Sequence, residues 1–179
     1  MRSKELSSWL ESIESVSRNS NIVIVPGGGE FADSIRNLQK TYQFDDFAAH
    51  QMALLAMCQY GYLLASMNSN FKIIKDTGIL RSHFGKQLPL LWLPLDLIED
   101  HSEIPASWDF TSDSIALWLA IKLAAQRLVI VKSKKLDNNR NSIINHINNN
   151  DLDKGFQRLI DKYTGELLIY AKSQHTELH

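Results

Sequence analysis

Residues 21–36 read NIVIVPGGGEFADSIR, and the character of the chain changes twice within them. The apolar, β-branched run at 22–25 predicts a short strand that ends in Pro26. Gly27, Gly28 and Gly29 follow, and then a helix-compatible segment opens. A strand that stops at a triple glycine before a helix presents several backbone N–H groups at the positive end of a helix dipole. That is a place to hold phosphate or carboxylate. Glycine suits it because a Cβ would keep the anion away from the backbone. The spacing is neither GxGxxG nor the Walker pattern, which disfavours both of those nucleotide-binding fingerprints. A tight turn that binds nothing is the plainer alternative.

Working outward, Leu6, Trp9, Leu10 and Ile13 recur at helical spacing and predict an amphipathic helix over 4–17. Phe31, Ile35 and Leu38 line one face of the helix after the glycines. A long helix is expected at 45–66, apolar nearly all round at 52–57 and therefore buried. A short strand at 71–74 and a short helix at 77–84 come next. The run at 88–93 reads as a strand whose Pro89, with Pro94 after it, points to an edge or an end of a sheet. Residues 96–110 read as a loop. Ser112 or Asp113 starts a helix to 125, with Ile115, Leu119 and Leu123 facing inward. The apolar run at 128–131 resembles a strand buried on both faces. Residues 137–151, DNNRNSIINHINNND, hold seven asparagines and read as a flexible surface loop. A helix at 151–163 and a last strand at 167–171 complete the series.

Strands alternating with helices imply an α/β fold with a mainly parallel sheet. Such sheets bind ligands beyond the carboxyl ends of their strands. The triple glycine, Lys132 with Ser133, and Thr111, Ser112 and Asp113 are expected to converge on that rim. The chain has 179 residues, 44% hydrophobic and 22% charged, which points to a single domain over 1–179. A net charge of −1 carries no footprint of nucleic acid or of a membrane surface. The single Cys58 lies in an apolar run and reads as a buried thiol in a reducing compartment. The first residues lack the apolar core of a signal peptide, and no apolar run is long enough to span a bilayer, so a cytoplasmic location is expected.

The stretch WDFTSDS at 108–114 carries the other candidate chemistry. Asp109 and Asp113 lie four apart with the hydroxyls of Thr111 and Ser112 between them, a set suited to phosphate and Mg²⁺. The alternative is a helix N-cap, with Thr111 or Ser112 capping and Asp113 in the first turn. Lys132 directly follows a strand and can meet phosphate charge, or it can snorkel at the surface. Lys134 and Lys135 are read as solvated. Arg36 can clamp an anion with its planar fork, or form a surface ion pair. His50 reads as a structural histidine. The other histidines have no metal-ligand spacing, and GxSxG is absent. Trp108 can wall a pocket for a flat substrate, whereas Trp92 reads as core.

VIVPGGGEFADSIR, the helix AAHQMALLAMCQYG and the stretch IPASWDFTSDSIALWLAIKLAAQRLVIVKS together resemble the amino acid kinase superfamily. That superfamily includes the aspartokinase, acetylglutamate kinase and uridylate kinase folds. The resemblance is nearest to its aminomethylfuran phosphate kinase-like branch, and it covers residues 2–133 in the family's order. It implies a three-layer α/β/α sandwich that moves the γ-phosphoryl group of ATP, with Mg²⁺, to a small phosphate- or carboxylate-bearing acceptor, with methanofuran-type C1 cofactor biosynthesis as one implied setting. Asp113 and Lys132 would be catalytic. Gly27, Gly28, Gly29, Arg36, Trp108 and Asp109 would bind the acceptor, and Thr111, Ser112 and Ser133 the nucleotide. Residues 1–133 would form the acceptor-binding core and 134–179 a shortened nucleotide-side segment. A homo-oligomer is implied, with neither nucleic acid nor membrane as partner.

Family members begin with a strand leading to Lys-x-Gly-Gly-Ser, and this chain starts after that point. The expectation is a fold that lacks the first strand, its glycine loop and its lysine. Losing one such charge costs on the order of a hundredfold in rate. A catalytically degenerate member that binds ligand or forms an oligomer is therefore the second reading. A nicotinamide oxidoreductase is the third, opposed by the missing GxGxxG.

Overall fold

The computed structural model describes residues 3–99, 104–133, 143–149 and 151–178. The chain divides into two compact units, Ile13–Trp108 on one side of the division and Met1–Ser12 with Asp109–His179 on the other. The first helix, α1 (Ser3–Ser17), contributes residues to both. Its apolar spacing is realised, since Leu6, Trp9 and Leu10 are all buried.

In Ile13–Trp108 the strand read at 22–25 is the two-residue β1 (Val23–Ile24), and the glycines lead into α2 (Gly29–Tyr42). The long helix α3 (Asp46–Met67) follows. Asp45 caps it, accepting from Ala48 N at 2.7 Å, an arrangement generally worth about 1 kcal/mol. Then come β2 (Lys72–Ile74), a 3-10 turn (Thr77–His83), β3 (Leu90–Trp92) and the one-turn α4 (Asp96–Glu99). The three strands form one all-parallel sheet in the order β1-β3-β2. Leu90 stands opposite both Val23 and Lys72, and Leu91 opposite both Ile24 and Ile73.

β3 is therefore the central strand, which corrects the reading of Pro89 and Pro94 as marks of an edge. The two prolines bracket the ladder instead of interrupting it. Pro89 serves as an acceptor, taking Lys72 N at 3.0 Å, and the first strand N–H, Leu90, donates to Ile22 O at 2.9 Å. The missing proline N–H groups fall outside the paired residues, so the ladder loses nothing.

The helices correct one further expectation, the full burial of the centre of α3. On α2 only Ile35 is buried, while Phe31 and Leu38 are about two-fifths exposed. On α3, Leu54, Ala56, Met57 and Cys58 are buried but Leu55 is exposed. An apolar helix face thus meets solvent, together with Tyr42, Phe47, Tyr62, Leu63 and Met67. Burial pushes the Cys58 thiol up to about 11, with a smaller contribution from the nearby Asp96 charge. It is an inert core group, as its apolar neighbours in sequence imply.

In the second unit, α5 (Ser112–Lys122), β4 (Arg127–Lys132), α6 (Ile143–Asn148), α7 (Lys154–Leu159) and β5 (Glu166–Ala171) follow in order. α5 stops before the expected residue 125, because Ala124 turns left-handed (φ 48°) and Ala125 N reaches back to Ala120 O. β4 and β5 pair in parallel from Arg127 opposite Glu166 to Lys132 opposite Ala171. Leu128 and Ile130 are buried, whereas Val129 and Val131 are only partly covered. β4 is thus closed on one face and half-open on the other, not buried on both. Trp9 joins this unit by donating its Nε1–H to Lys172 O at 2.8 Å.

The asparagine-rich stretch is only partly within the described residues. Its described part is not a loop, because α6 occupies it. Ile147 and His146 are buried there, and the His146 ring lies 3.0 Å from the buried Asp151 carboxylate. Apolar burial on one helical face outweighs the turn preference of the asparagines around it. Lys134 and Lys135 lie outside the described residues. Every strand pair is parallel and the strands are interleaved with helices, as expected of the α/β class. Among the described residues no helix is long and apolar enough to cross a membrane.

Gly61 shows how tightly α3 seats in its unit. A Cβ there would run into the Leu93 side chain and stand 3.3 Å from Pro26. Gly61→Ala is expected to destabilise the chain by about 1–3 kcal/mol, the usual cost of overpacking a filled core. Urea unfolding monitored by circular dichroism measures it, and an unchanged midpoint would refute the close fit.

Candidate functional site

The glycine turn in Ile13–Trp108 is built as its sequence requires. Gly28 is the N-cap of α2, and the helical ladder opens with Ala32 N donating to Gly28 O at 3.1 Å. The N–H groups of residues 29–31 precede that first bond, and among the described residues no side chain caps this end of the helix. It therefore offers the anion-competent rim of any uncapped helix N-terminus. The glycines, however, are demanded by protein packing first. A Cβ on Gly28 would lie 2.5 Å from Ala32 Cβ. Gly29 has φ 51° and faces the Tyr60 ring, 2.7 Å from where its Cβ would be. Tyr60, raised in pKa by burial and then by Glu30, also meets Phe31 edge to face.

Arg36 and Trp108 come together in the same unit. The Arg36 guanidinium lies over the Trp108 ring, 4.5 Å from its centre, and pairs with Asp33 at 3.1 Å. Trp108 Nε1–H donates to Gln39 Oε1 at 2.6 Å, and Gln39 in turn donates to Asp46 and to Phe44 O. An apolar groove of about 270 Å³ opens between α2 and α3, lined by Phe31, Ile35, Met52, Leu55 and Ala56 among others. None of the site residues expected from the sequence is among those that line it.

The second unit holds the stronger electrostatic feature. Asp113 stands in the first turn of α5, and Lys132 is the last residue of β4. Lys132 Nζ donates to Asp113 Oδ2 at 2.7 Å, both side chains being largely buried. The two residues that the sequence singles out separately are one ion pair. Burial raises the Asp113 pKa above its ordinary value, and the Lys132 charge opposes that rise. A buried pair of this kind costs more to desolvate than its attraction reliably returns. Its presence is thus poorly explained as a device for stability.

Asp153 was not legible as part of this site. Its carboxylate accepts from Thr111 N (2.8 Å), Thr111 Oγ1 (2.7 Å), Ser114 N (3.1 Å), Ser114 Oγ and Phe156 N (3.0 Å). Its backbone also acts to lower the Asp113 pKa, against the larger effect of burial. The capping expected from Thr111 or Ser112 is accordingly done by Asp153: Thr111 is the N-cap of α5 by backbone, but its hydroxyl donates to Asp153. An Asp before a helix is a visible cap signal, yet its partners some forty residues away are not visible in sequence.

Asp109 is drawn towards α7, 3.6 Å from Lys154 and 3.7 Å from Arg158, and its carbonyl accepts Gly155 N at 2.6 Å. Ser112 is partly buried in the first turn of α5, and Ser133 is exposed just beyond β4. His50 is buried in α3. Among the described residues no three His, Cys, Asp or Glu side chains gather to hold a metal ion.

A raised Asp113 pKa has a definite sign. Between the unfolded and folded values the folded chain binds the proton more tightly. The contribution of this group to stability therefore falls as pH rises through the folded value. A carboxyl ¹³C titration is expected to place the Asp113 midpoint above 3.8, its ordinary value. A midpoint at or below that value would contradict the burial described.

No family model matches the chain. Over 112 residues the chain is 29% identical to the [5-(aminomethyl)furan-3-yl]methyl phosphate kinase of Methanocaldococcus jannaschii. The alignment takes in 63% of this chain and 51% of that protein, so the match spans about half of the relative's length. Among solved structures, the uridylate kinase from Archaeoglobus fulgidus superimposes with a TM-score of 0.69 at 14% identity, over 95% of this chain and 84% of that one. At that identity the likeness speaks for the fold alone.

Proposed function

We propose that the chain, whose fold is similar to that of a uridylate kinase, works as an ATP-dependent small-molecule kinase whose acceptor carries a phosphate group. The observation that carries this reading is the buried pair of Asp113 and Lys132 at 2.7 Å, joining the first turn of a helix to the end of a parallel strand. Buried charge of uncertain value to stability is a mark of chemistry. The relative is named for a phosphate monoester acceptor, and the structural neighbour is a uridylate kinase.

The proposed chemistry asks little of the protein beyond position and charge. The oxygen–phosphorus bond between the β- and γ-phosphates of ATP breaks, ADP leaves, and an acceptor oxygen forms the new bond to phosphorus. An acceptor phosphate is mostly ionised at neutral pH, its second pKa being about 6. Its oxygen is already a nucleophile, and no general base is needed. Lys132 would neutralise charge on the transferring group, and Asp113 would orient Lys132 and meet Mg²⁺ carried by the phosphates. Few oxygen ligands from the protein suit Mg²⁺, which keeps much of its water. Thr111, Ser112 and Ser133 would serve the nucleotide. Within Ile13–Trp108, Gly27, Gly28 and Gly29 would hold acceptor phosphate through backbone N–H groups, with Arg36 and Trp108 of the same unit serving the acceptor.

The test is a coupled assay of ADP release with uridylate and with [5-(aminomethyl)furan-3-yl]methyl phosphate as acceptors, beside calorimetry with Mg-ATP. Turnover is expected to fall on the order of a hundredfold in Asp113→Asn and in Lys132→Met. Binding of Mg-ATP without turnover would favour the degenerate, ligand-binding reading. Absence of both would end the proposal.

The exposed apolar face of α2 and α3 supports the further reading that the chain forms a homo-oligomer. Leu55→Glu with Leu63→Glu is expected to shift the mass measured by light scattering towards the monomer. A wild-type chain already monomeric at micromolar concentration would overturn that.

A further inference from the structure

Asp153 makes more hydrogen bonds than a helix cap needs. As the cap of α7 it owes one acceptor to Phe156 N, which Oδ1 provides at 3.0 Å. Its remaining bonds go to residues 111 and 114, on either side of Asp113. Oδ2 takes Thr111 N, Thr111 Oγ1 and Ser114 N, and Oδ1 also takes the Ser114 hydroxyl. Ser114 is fully buried. Capping usually satisfies one or two donors, whereas this carboxylate has five.

We propose that Asp153 is the positioning residue of the pair of Asp113 and Lys132. Its carboxylate fixes the first turn of α5 at Thr111 and Ser114, on either side of Asp113, so that Asp113 is held towards Lys132. This rests on the reading of that pair as machinery for phosphoryl transfer. Two features argue for positioning over simple capping. The bonds bracket Asp113 in sequence, which fixes the rotation of the helix turn and so the direction of one side chain. The hydroxyls of Thr111 and Ser114 are engaged as well as their backbone N–H groups. Hydroxyl donors add nothing to helix capping, but they remove the last freedom of the turn. Asp153 also places a second negative charge near Asp113, and the Lys132 charge acts on Asp113 in the opposite sense.

Asp153→Asn keeps the shape but replaces one acceptor oxygen with an amide that donates, so the five-donor arrangement cannot persist. The direct readout is the ¹⁵N–¹H signal of the Lys132 ammonium group, assigned by its loss in Lys132→Met. This signal is expected to be protected from exchange in the wild type, because the pair is largely buried. Asp153→Asn is expected to abolish or strongly broaden it while the backbone spectrum of β4 and β5 stays in place. The kinetic expectation is a kcat reduced about tenfold or more with acceptor KM nearly unchanged, as for a group acting through orientation. In an Asp113→Asn background the same substitution is expected to cost little further, because the residue it positions is gone.

Should Asp153→Asn fail to fold, Thr111→Val removes a single hydroxyl bond and is read in the same way. An unaltered Lys132 signal in the folded variants would overturn the proposal, as would an equal further loss of activity in the Asp113→Asn background. Loss of the signal in a chain that shows no turnover with any acceptor would keep Asp153 as the positioning residue and reject the kinase reading.

Discussion

The contact between Lys132 Nζ and Asp113 Oδ2 constrains its whole unit. Two full charges have been taken largely out of water and set 2.7 Å apart. Neither is tolerable without the other, and a bare buried charge would cost several kcal/mol by general experience. The parallel pairing of β4 with β5 delivers Lys132 to its place, and the first turn of α5 delivers Asp113. Asp153 then ties that turn to the start of α7. Strand end, helix start and loop are thereby committed to one local geometry by electrostatics that water would otherwise dissolve.

A different constraint governs Ile13–Trp108. There the requirement is close approach of backbone to side chain. Gly28 admits Ala32, Gly29 admits the Tyr60 ring, and Gly61 admits Leu93. The short strands β1, β3 and β2 contribute few hydrogen bonds. Leu90, Leu91, Trp92 and Leu93, all essentially without exposure, supply a buried layer in their place. Burial of apolar area of this size dominates the stability of such a small sheet. The triple glycine thus has a packing role independent of any ligand, and its anion-binding role is an addition to it.

Much of the architecture was legible before any coordinates. Helical spacing located α1 and α2, a long apolar run located α3, and short apolar runs located β1, β4 and β5 within a residue or two. Local rules suffice there because each segment carries its own periodicity. The central place of β3 was not legible. Proline at 89 and 94 speaks of a missing donor, and only the register shows that the missing donors fall beyond the ladder. The helix α6 was hidden by asparagines whose turn preference is local, while the burial of Ile147 that overrides it is not. The exposed side of α3 was hidden for the same reason: an apolar sequence reads as buried whether or not anything covers it.

The sequence by itself determined the element types, the parallel α/β class and the residue types suited to phosphate, because periodicity, turn chemistry and charge are carried by neighbours along the chain. Only the tertiary structure decided that Asp113 meets Lys132, that Asp153 and not Thr111 or Ser112 satisfies the start of α5, and that Arg36 lies on Trp108. Those outcomes depend on distances of a few ångströms between residues that are 19 to 72 positions apart. Electrostatic and hydrogen-bond energies fall away over such distances, and no local rule of sequence fixes them.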